Sequence, residues 1–226
     1  MTFSCIIPFY NEGHRIIKTL RKINQIDEFD EIICIDDGSD DDIYKEVKNK
    51  FPKVNLIKLN KNRGKSEAIK TGAREARSEV LFFLDADLKN LNKKDIRQAV
   101  LHMKTGNFDM IILKLDKAIS PIDIARSHIL LAGQRLLYRK DFLEIAKTEN
   151  FVDFQLEIAI NRFMRKREKE VGWMKSQLRT PKKAEKRENY LQAVKEDCTM
   201  IKSILSYAGV SEYVKQTIKF AKQEIE

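Results

Sequence analysis

The sequence predicts an α/β protein whose central sheet is mostly parallel and is flanked by helices on both faces. Short apolar runs without polar alternation recur through the first half of the chain, as in strands that are buried on both sides. Stretches with apolar residues at helical spacing separate these runs, which is the pattern of βαβ units. With 226 residues, the chain is long enough for one such domain and a small appendage.

The alternation of apolar runs and amphipathic stretches gives the elements in order. It predicts strand Phe3–Pro8, helix Arg15–Gln25, strand Glu31–Ile35, helix Asp42–Asn49, strand Val54–Lys58, helix Lys65–Ala76, strand Val80–Leu84, helix Lys93–Met103 and strand Met110–Leu113. In the first helix, for example, Ile16, Leu20 and Ile23 recur at the spacing of one buried face. After residue 120 the pattern becomes helical and basic.

Two amphipathic helices are predicted near the end of the chain. The first has an apolar seam that Gly209 ends, and the second begins near Ser211. The two seams consist of Leu191, Val194, Cys198, Ile201, Leu205 and Ala208, and of Val214, Ile218, Ala221 and Ile225. We expect both seams to pack on the domain rather than to form a dimer seam or a membrane anchor.

The composition predicts a cytosolic protein. The three cysteines are odd in number and lack the spacing of a metal site, and Cys5 and Cys34 lie inside apolar runs, as expected for small buried side chains in a reducing compartment. No apolar segment reaches the length of about 18 residues that a membrane span needs. We therefore expect a cytoplasmic protein, at most peripheral to the cytoplasmic face of the membrane.

Two carboxylates directly follow the fourth predicted strand. Asp85 and Asp87 stand where Val80–Leu84 emerges from the core. An unpaired buried carboxylate is costly, so packing alone seldom explains such an ending. A divalent cation, Mg²⁺ or Mn²⁺, would offset the cost, because carboxylate oxygens suit these ions, which also bind phosphate oxygens. A strand that ends in a solvated turn is the alternative.

Polar segments also follow the first three predicted strands. They are Pro8-Phe9-Tyr10-Asn11-Glu12, Asp36-Asp37-Gly38-Ser39 and Asn60-Lys61-Asn62-Arg63-Gly64-Lys65. Open α/β sheets bind their ligands at the carboxyl ends of the strands. The clustering therefore predicts one ligand site that is built from four loops.

These segments, in this order, resemble the family-2 glycosyltransferases, which have the GT-A fold. The matching pieces are Ile6–Glu12, Asp36–Asp40, Asn62–Ala68 and Phe83–Asp87. The resemblance implies a GT-A domain over residues 1–180, with a nucleotide-sugar-binding half over 1–90 and an acceptor half over 91–180. The amphipathic helices then occupy residues 181–226.

The resemblance implies an inverting, metal-dependent transferase that uses a UDP- or GDP-sugar. Its donor site would consist of Pro8, Phe9, Tyr10, Asn11, Glu12, Asp36, Asp37, Gly38, Arg63, Gly64, Lys65, Asp85, Ala86 and Asp87. Asp85 and Asp87 would hold the cation between the two phosphates, with Asp87 as the direct ligand, and the cation would neutralise the departing nucleoside diphosphate. For Asp36 and Asp37, capping of the helix before Ile43 is the alternative.

The acceptor half resembles polyprenyl-phosphate glycosyltransferases and glucosyl-3-phosphoglycerate synthase-like enzymes. The small-Gly-Gln-Arg stretch of these relatives implies acceptor contacts by Gly133, Gln134 and Arg135. An inverting transfer needs a group that orients or deprotonates the acceptor, and Glu157 is the first candidate, with Asp153 second. A phosphate acceptor needs no strong base. A Glu157 that faces solvent on an amphipathic helix is the alternative.

One departure from these relatives concerns the basic loop beyond the acidic segment. Relatives often place a histidine there as a metal ligand or phosphate contact, whereas the three histidines of this chain all lie upstream. Either the cation has fewer protein ligands, or Gln177 or Ser176 substitutes for the histidine.

The positive charge of the chain is concentrated in one region. The net charge is +9, and residues 161–195 hold twelve Lys or Arg against four Glu. Such a region suits an anionic acceptor, such as a lipid phosphate, or the anionic membrane surface that carries it, and includes Arg162, Arg165, Lys166, Arg167, Arg179, Lys182 and Lys183. A soluble phosphoglycerate acceptor or a solvated helix face fits it equally. The sequence leaves open whether the protein forms a homo-oligomer.

Three other functions compete with the transferase. A sugar-phosphate nucleotidyltransferase would normally carry a Gly-rich N-terminal loop, but Pro8–Gly13 contains a single glycine. A non-catalytic domain that binds sugar nucleotides is favoured by the missing histidine. A nucleic-acid partner is not expected, because the basic region lacks a recognition motif, interleaved aromatic residues and zinc spacing.

Overall fold

The computed structural model describes residues 1–116, 127–153, 155–179 and 190–225. These residues contain an eight-stranded sheet with the strand order β3-β2-β1-β4-β6-β5-β7-β8. The strands are β1 (Phe3–Phe9), β2 (Glu31–Asp36), β3 (Asn55–Lys58), β4 (Val80–Phe83), β5 (Met110–Lys114), β6 (Arg135–Tyr138), β7 (Val171–Lys175) and β8 (Gln223–Glu224).

The sheet is mostly parallel, as predicted. β1 pairs in parallel with β2 and β4, β2 pairs in parallel with β3, and β7 pairs in parallel with β5 and β8. Only β6 runs antiparallel to both of its neighbours, β4 and β5. The carboxyl ends of β1, β2, β3 and β4 therefore meet at one edge of the sheet, and β6 starts at that same edge because it runs the opposite way.

Helices cover both faces of the sheet within the described residues. They are α1 (His14–Ile23), α2 (Ile43–Lys50), α3 (Lys65–Glu75), α4 (Lys93–Lys104), α5 (Ser127–Leu130), α6 (Arg139–Thr148), α7 (Gln155–Lys166), α8 (Tyr190–Ala208) and α9 (Val210–Lys219). One buried cluster joins α1, α2 and α4 to the sheet, and the other joins α3, α5, α6 and α7 to its opposite face. The nine elements predicted up to Leu113 exist, with ends that differ by no more than two residues.

Two C-terminal helices exist, but the second ends at Lys219, before the predicted seam residues Ala221 and Ile225, and the buried faces are different. Ile201 on α8 and Val214 and Ile218 on α9 are exposed, whereas Ile204 and Gln216 are buried. The predicted seam is therefore wrong at these positions, because hydrogen bonds to α7, and not aliphatic contacts alone, set the rotation of α9. Leu191 and Val194 lie outside the described side chains. No helix in the described ranges combines the length and the apolar character that a membrane span requires.

Gly72 allows α3 to lie directly against the sheet. A Cβ atom at this position would stand 2.6 Å from Ile35 Cδ1 and 2.7 Å from Ile6 Cγ2. These two side chains belong to β2 and β1, whose ends carry the predicted donor residues. The missing side chain therefore fixes how close the start of α3, with Lys65, comes to the edge of the sheet.

We expect Gly72→Val to lower the free energy of unfolding by about 3 kcal/mol, because the added atoms overpack a closed helix–sheet contact. Chemical denaturation followed by circular dichroism measures this loss. Glu75→Val is the matched control, since it places the same side chain on an exposed position of α3 and should cost about 0.5 kcal/mol. Equal losses in the two variants would contradict the close-packing argument.

Candidate active site

The loop after β1 is locked to the loop after β2. The backbone N–H of Asn11 donates to Ser39 Oγ at 3.0 Å, and the N–H of Asp40 donates to Asn11 Oδ1 at 3.0 Å. Pro8 and Phe9 belong to β1 itself, so the loop of this segment begins only at the exposed Tyr10. Ser39 was not among the predicted site residues, and nothing in its spacing marks it as the partner of Asn11.

The carboxylates at the end of β2 organise the next loop. Asp37 accepts hydrogen bonds from the backbone N–H groups of Arg63 at 2.9 Å and of Gly64 at 2.8 Å. Asp36 is fully buried, accepts from the N–H of Ser39 at 2.8 Å and lies 3.6 Å from Lys58 Nζ. Neither carboxylate caps α2, whose N-cap is Asp42, so the capping alternative is wrong.

The pKa of Asp37 is raised above its ordinary value. Burial is the main cause, and repulsion from Asp36 and Asp153 adds to it, against the lowering effect of the two N–H donors. Gly38 follows in the left-handed region with φ +77°, where a Cβ would stand 2.6 Å from the carbonyl carbon of Lys61. The turn after β2 therefore holds the loop that leads into α3 at contact distance.

Lys65, at the start of α3, joins the predicted donor and acceptor halves. Its Nζ lies 2.6 Å from Asp85 Oδ1 and 3.9 Å from Glu157 Oε1. Gln134 Nε2 donates to the other oxygen of Asp85 at 2.6 Å. Gly133 is adjacent, because a Cβ there would stand 2.9 Å from Lys65 Nζ. Gly133 and Gln134, predicted on the acceptor side, thus lie against the first aspartate of the donor side.

The surroundings of Lys65 keep its side chain protonated. Burial by itself would lower the pKa of this ammonium, but the charges of Asp85, Glu157 and Asp87 and the hydrogen bond to Asp85 raise it above the ordinary value. Asp85 and Glu157 are therefore the carboxylates that lie within 4 Å of this ammonium at the carboxyl end of β4.

Glu157 and Arg135 form the inner wall of this cluster. Glu157 is buried in the first turn of α7, and its pKa is raised by burial against the opposing charges of Lys65 and Arg135. The alternative of a solvent-facing Glu157 is therefore wrong. Arg135 donates to the carbonyl of Ala132 at 2.9 Å and to Asn161 Oδ1 at 3.0 Å, and burial lowers its pKa to about 10. Asn161 was missed by the sequence analysis.

Asp153 lies two residues before α7 and reaches the donor side. Its backbone adopts φ +41°, and its Oδ1 lies 2.6 Å from the point where a Cβ on Gly64 would stand. Ser66 Oγ donates to its carbonyl at 3.1 Å. The exposed carboxylate of Asp153 thus faces the loop that Asp37 holds, whereas Glu157 faces Lys65.

The second aspartate of the pair is fixed through its neighbour. The carbonyl of Ala86, buried between Asp85 and Asp87, accepts a hydrogen bond from Thr19 Oγ1 at 2.7 Å. Among the described residues, no group of three His, Cys, Asp or Glu side chains has the arrangement of a complete metal site. One or two carboxylates nevertheless fit Mg²⁺, which takes its remaining ligands from water and substrate phosphates. Ser176, one of the two predicted substitutes for the absent histidine, donates its hydroxyl to the carbonyl of Lys114.

The basic region is largely neutralised within the fold. Arg162 pairs with Glu149, Arg165 with Glu212, Arg167 with Glu144, and Arg179 with Asp116. These four arginines therefore share their charge with carboxylates of the fold, whereas Lys166 is exposed and the attraction of an external anion to the region stays a prediction. Lys182 and Lys183 lie outside the described residues.

The family model "Glycosyl transferase family 2" matches residues 4–167. The chain belongs to this family. The match begins in β1 and ends after α7, so it contains every residue of the candidate site.

Curated relatives in this family share part of the chain. The undecaprenyl-phosphate 4-deoxy-4-formamido-L-arabinose transferase of Pseudomonas syringae is 34% identical over 95 residues, which cover 38% of this chain and 28% of the relative. The dolichol-phosphate mannosyltransferase of Pyrococcus furiosus is 35% identical over 95 residues, which cover 40% of this chain and 27% of the relative. The chain thus spans less than a third of the length of these relatives.

Solved structures extend the likeness to the whole fold. Glucosyl-3-phosphoglycerate synthase from Mycobacterium tuberculosis, crystallised with Mn²⁺, uridine diphosphate and phosphoglyceric acid, has a TM-score of 0.71 at 17% identity, over 92% of this chain and 79% of that one. TarS residues 1–349 from Staphylococcus aureus have a TM-score of 0.57 at 22% identity, over 72% and 55% of the two chains. The expected GT-A fold is confirmed.

We expect Lys65→Met to destabilise the protein, because it leaves Asp85 and Glu157 without their shared cation. The loss should be about 2 kcal/mol at neutral pH, below the value for a fully buried pair because Lys65 is partly exposed. The loss should shrink towards about pH 5, since the pKa values of the two abandoned carboxyls rise and protonation then neutralises them.

Urea denaturation at the two pH values measures this difference. Lys50→Met is the control, because Lys50 makes an exposed pair with Glu46 on α2 and its removal should cost less than about 0.5 kcal/mol at either pH. A loss in Lys65→Met that does not depend on pH would show that the two carboxylates do not need Lys65.

Proposed function

We propose that the protein is an inverting glycosyltransferase that moves a sugar from a nucleoside-diphosphate sugar to a phosphate-bearing acceptor, with the help of a divalent cation. The observation that carries this proposal is the contact of Lys65 with both Asp85 and Glu157. It joins the acidic end of β4, where a donor diphosphate would lie, to the helix that would face the acceptor.

The donor side is supported by the groups at the ends of β1, β2 and β4. Asp36 and Asp37 offer carboxylate oxygens that accept hydrogen bonds from the N–H groups of a base and the hydroxyls of a ribose. Tyr10 is exposed beside them, on the loop that is locked to Ser39. In this proposal the nucleoside lies between these two loops, and its diphosphate points towards Lys65.

Asp87 would be the main protein ligand of the cation, with Asp85 beside it. When bound, Mg²⁺ or Mn²⁺ supplies Lewis-acid stabilisation of the negative charge on the departing diphosphate. Lys65 adds a second positive charge at the same place, because its raised pKa keeps the ammonium protonated. Gln134 holds the Asp85 carboxylate in position from the opposite side.

Glu157 and Asp153 have different parts in this proposal. Glu157 is buried and faces Lys65. This position is suited to orienting the acceptor and the Lys65 ammonium next to it. Asp153 is exposed and faces Gly64, so it meets the donor loop. If the acceptor is a phosphate, the nucleophilic oxygen is already ionised, and a residue that orients it suffices. We therefore assign the orienting role to Glu157.

A phosphate monoester is the acceptor chemistry that the relatives share. The curated relatives are named for undecaprenyl phosphate and dolichol phosphate, and the structural neighbour is bound to phosphoglyceric acid. We propose a polyprenyl phosphate, because the relatives that name it are the more similar in sequence.

The three cysteines are free thiols, and two of them are buried. Free thiols fit a protein that works in a reducing cytoplasm.

We expect calorimetry to detect binding of a UDP- or GDP-sugar that strengthens at least about tenfold when Mn²⁺ is added, because the cation bridges the diphosphate to the protein. Asp87→Asn should abolish this strengthening. Asp27→Asn is the control, since Asp27 is an exposed carboxylate that pairs with Lys93. No binding of any sugar nucleotide would favour a non-catalytic GT-A domain instead.

We expect Glu157→Gln to lower kcat by at least about 100-fold, because the variant loses an orienting charge in the transition state. Asp153→Asn should mainly raise KM for the donor. Transfer of radiolabelled sugar to undecaprenyl phosphate, and separately to 3-phosphoglycerate, measures both effects. Transfer to 3-phosphoglycerate alone would refute the lipid acceptor, and an active Glu157→Gln would refute the assigned role.

A further inference from the structure

The outward face of α9 is aliphatic and cationic. Its six exposed residues are Val210, Ser211, Val214, Lys215, Ile218 and Lys219. Val210, Val214 and Ile218 follow one another at intervals of four, so they form one stripe along the helix. Each is between 47% and 64% exposed. The exposed face contains no carboxylate.

The opposite face of α9 is fixed to the domain, so the exposed stripe cannot turn inward. Gln216 is fully buried, and its Nε2 donates to the carbonyl of Ile158 on α7 at 3.2 Å. Glu212, the only acidic residue of α9, lies 2.6 Å from Arg165 Nη2. Rotation of the stripe towards the core would break both contacts and bury Lys215 or Lys219.

The charge on this face favours an anionic surface as its partner. Lys215 and Lys219 stand directly beside Val214 and Ile218 in the sequence and lie on one side of the stripe, one turn apart. A second copy of the chain in a symmetric dimer would bring the lysines of one stripe near those of the other, which is unfavourable. An anionic bilayer instead accepts aliphatic side chains at its boundary and attracts lysines to its headgroups.

We propose that α9 lies flat on an anionic membrane surface, with Val210, Val214 and Ile218 inserted at the boundary and Lys215 and Lys219 among the headgroups. The proposal extends the proposed function, since a bilayer is where a polyprenyl phosphate would be found. Through Gln216 and Ile158, α9 contacts the helix whose first turn carries Glu157. Membrane binding itself depends on none of the donor residues.

Flotation of the full chain with vesicles tests this inference. We expect binding to vesicles of phosphatidylcholine with about 30 mol % phosphatidylglycerol and at least about tenfold weaker binding to pure phosphatidylcholine, because the lysines need anionic headgroups. The double variant Val214→Ser with Ile218→Ser should reduce binding at least about tenfold, and Lys215→Gln with Lys219→Gln should remove the preference for anionic lipid.

Leu101→Ser is the matched control, because Leu101 is an equally exposed aliphatic residue on α4, and it should bind as the unaltered chain does. Circular dichroism confirms that each variant is folded. Equal binding by the α9 double variant and the control, or no binding to anionic vesicles, would overturn the proposal. So would a concentration-dependent dimer in sedimentation equilibrium that the α9 double variant loses. Sugar-nucleotide binding that persists without vesicle binding would reject this inference alone.

Discussion

The cation of Lys65 is the constraint on which the rest of the candidate site depends. Asp85 and Glu157 come from different elements, and two carboxylates close together at the edge of a sheet repel each other and lose hydration. A single ammonium 2.6 Å from one and 3.9 Å from the other offsets both effects. The position of that ammonium depends in turn on the start of α3, which the closely packed Gly72 and the Asp37-bound loop hold against the sheet.

The predicted donor side and the predicted acceptor side are consequently linked by direct side-chain contacts. The beginning of α3 contacts α7 through the ion pair of Lys65 with Glu157, and it contacts the segment before α7 through the hydrogen bond of Ser66 to Asp153. β6, whose antiparallel direction brings Gln134 to the same edge, adds the hydrogen bond from Gln134 to Asp85. A displacement of α7 would therefore shift the contacts of Asp85 and those of the loop that Asp37 binds.

Most of the first half of the fold could be predicted from the sequence, because each parallel strand is a short apolar run and each helix has its own apolar spacing. The contacts that complete the site could not be predicted from the sequence. Gln134 meets Asp85 across 49 residues and Asn161 meets Arg135 across 26, and no local pattern encodes such pairs. The basic region shows the same limit, since its arginines pair with carboxylates that are distant in the sequence. Likewise, α9 turns its aliphatic stripe outward because Gln216 has a partner on α7.

Some of the costs in the fold lie where the proposed donor would bind. Asp36 Oδ2 and Gln134 Oε1 are buried without a hydrogen-bond partner among the described residues, and Asn11 and Asp153 adopt positive φ without being glycine. Buried polar atoms without partners and strained backbone persist only where surrounding contacts enforce them. Here the enforcing contacts are those of Ser39 with Asn11 and of Ser66 with Asp153. Asp36 Oδ2 lies 3.6 Å from Lys58 Nζ, and this opposite charge offsets part of the cost, whereas Gln134 Oε1 has no such compensation among the described residues.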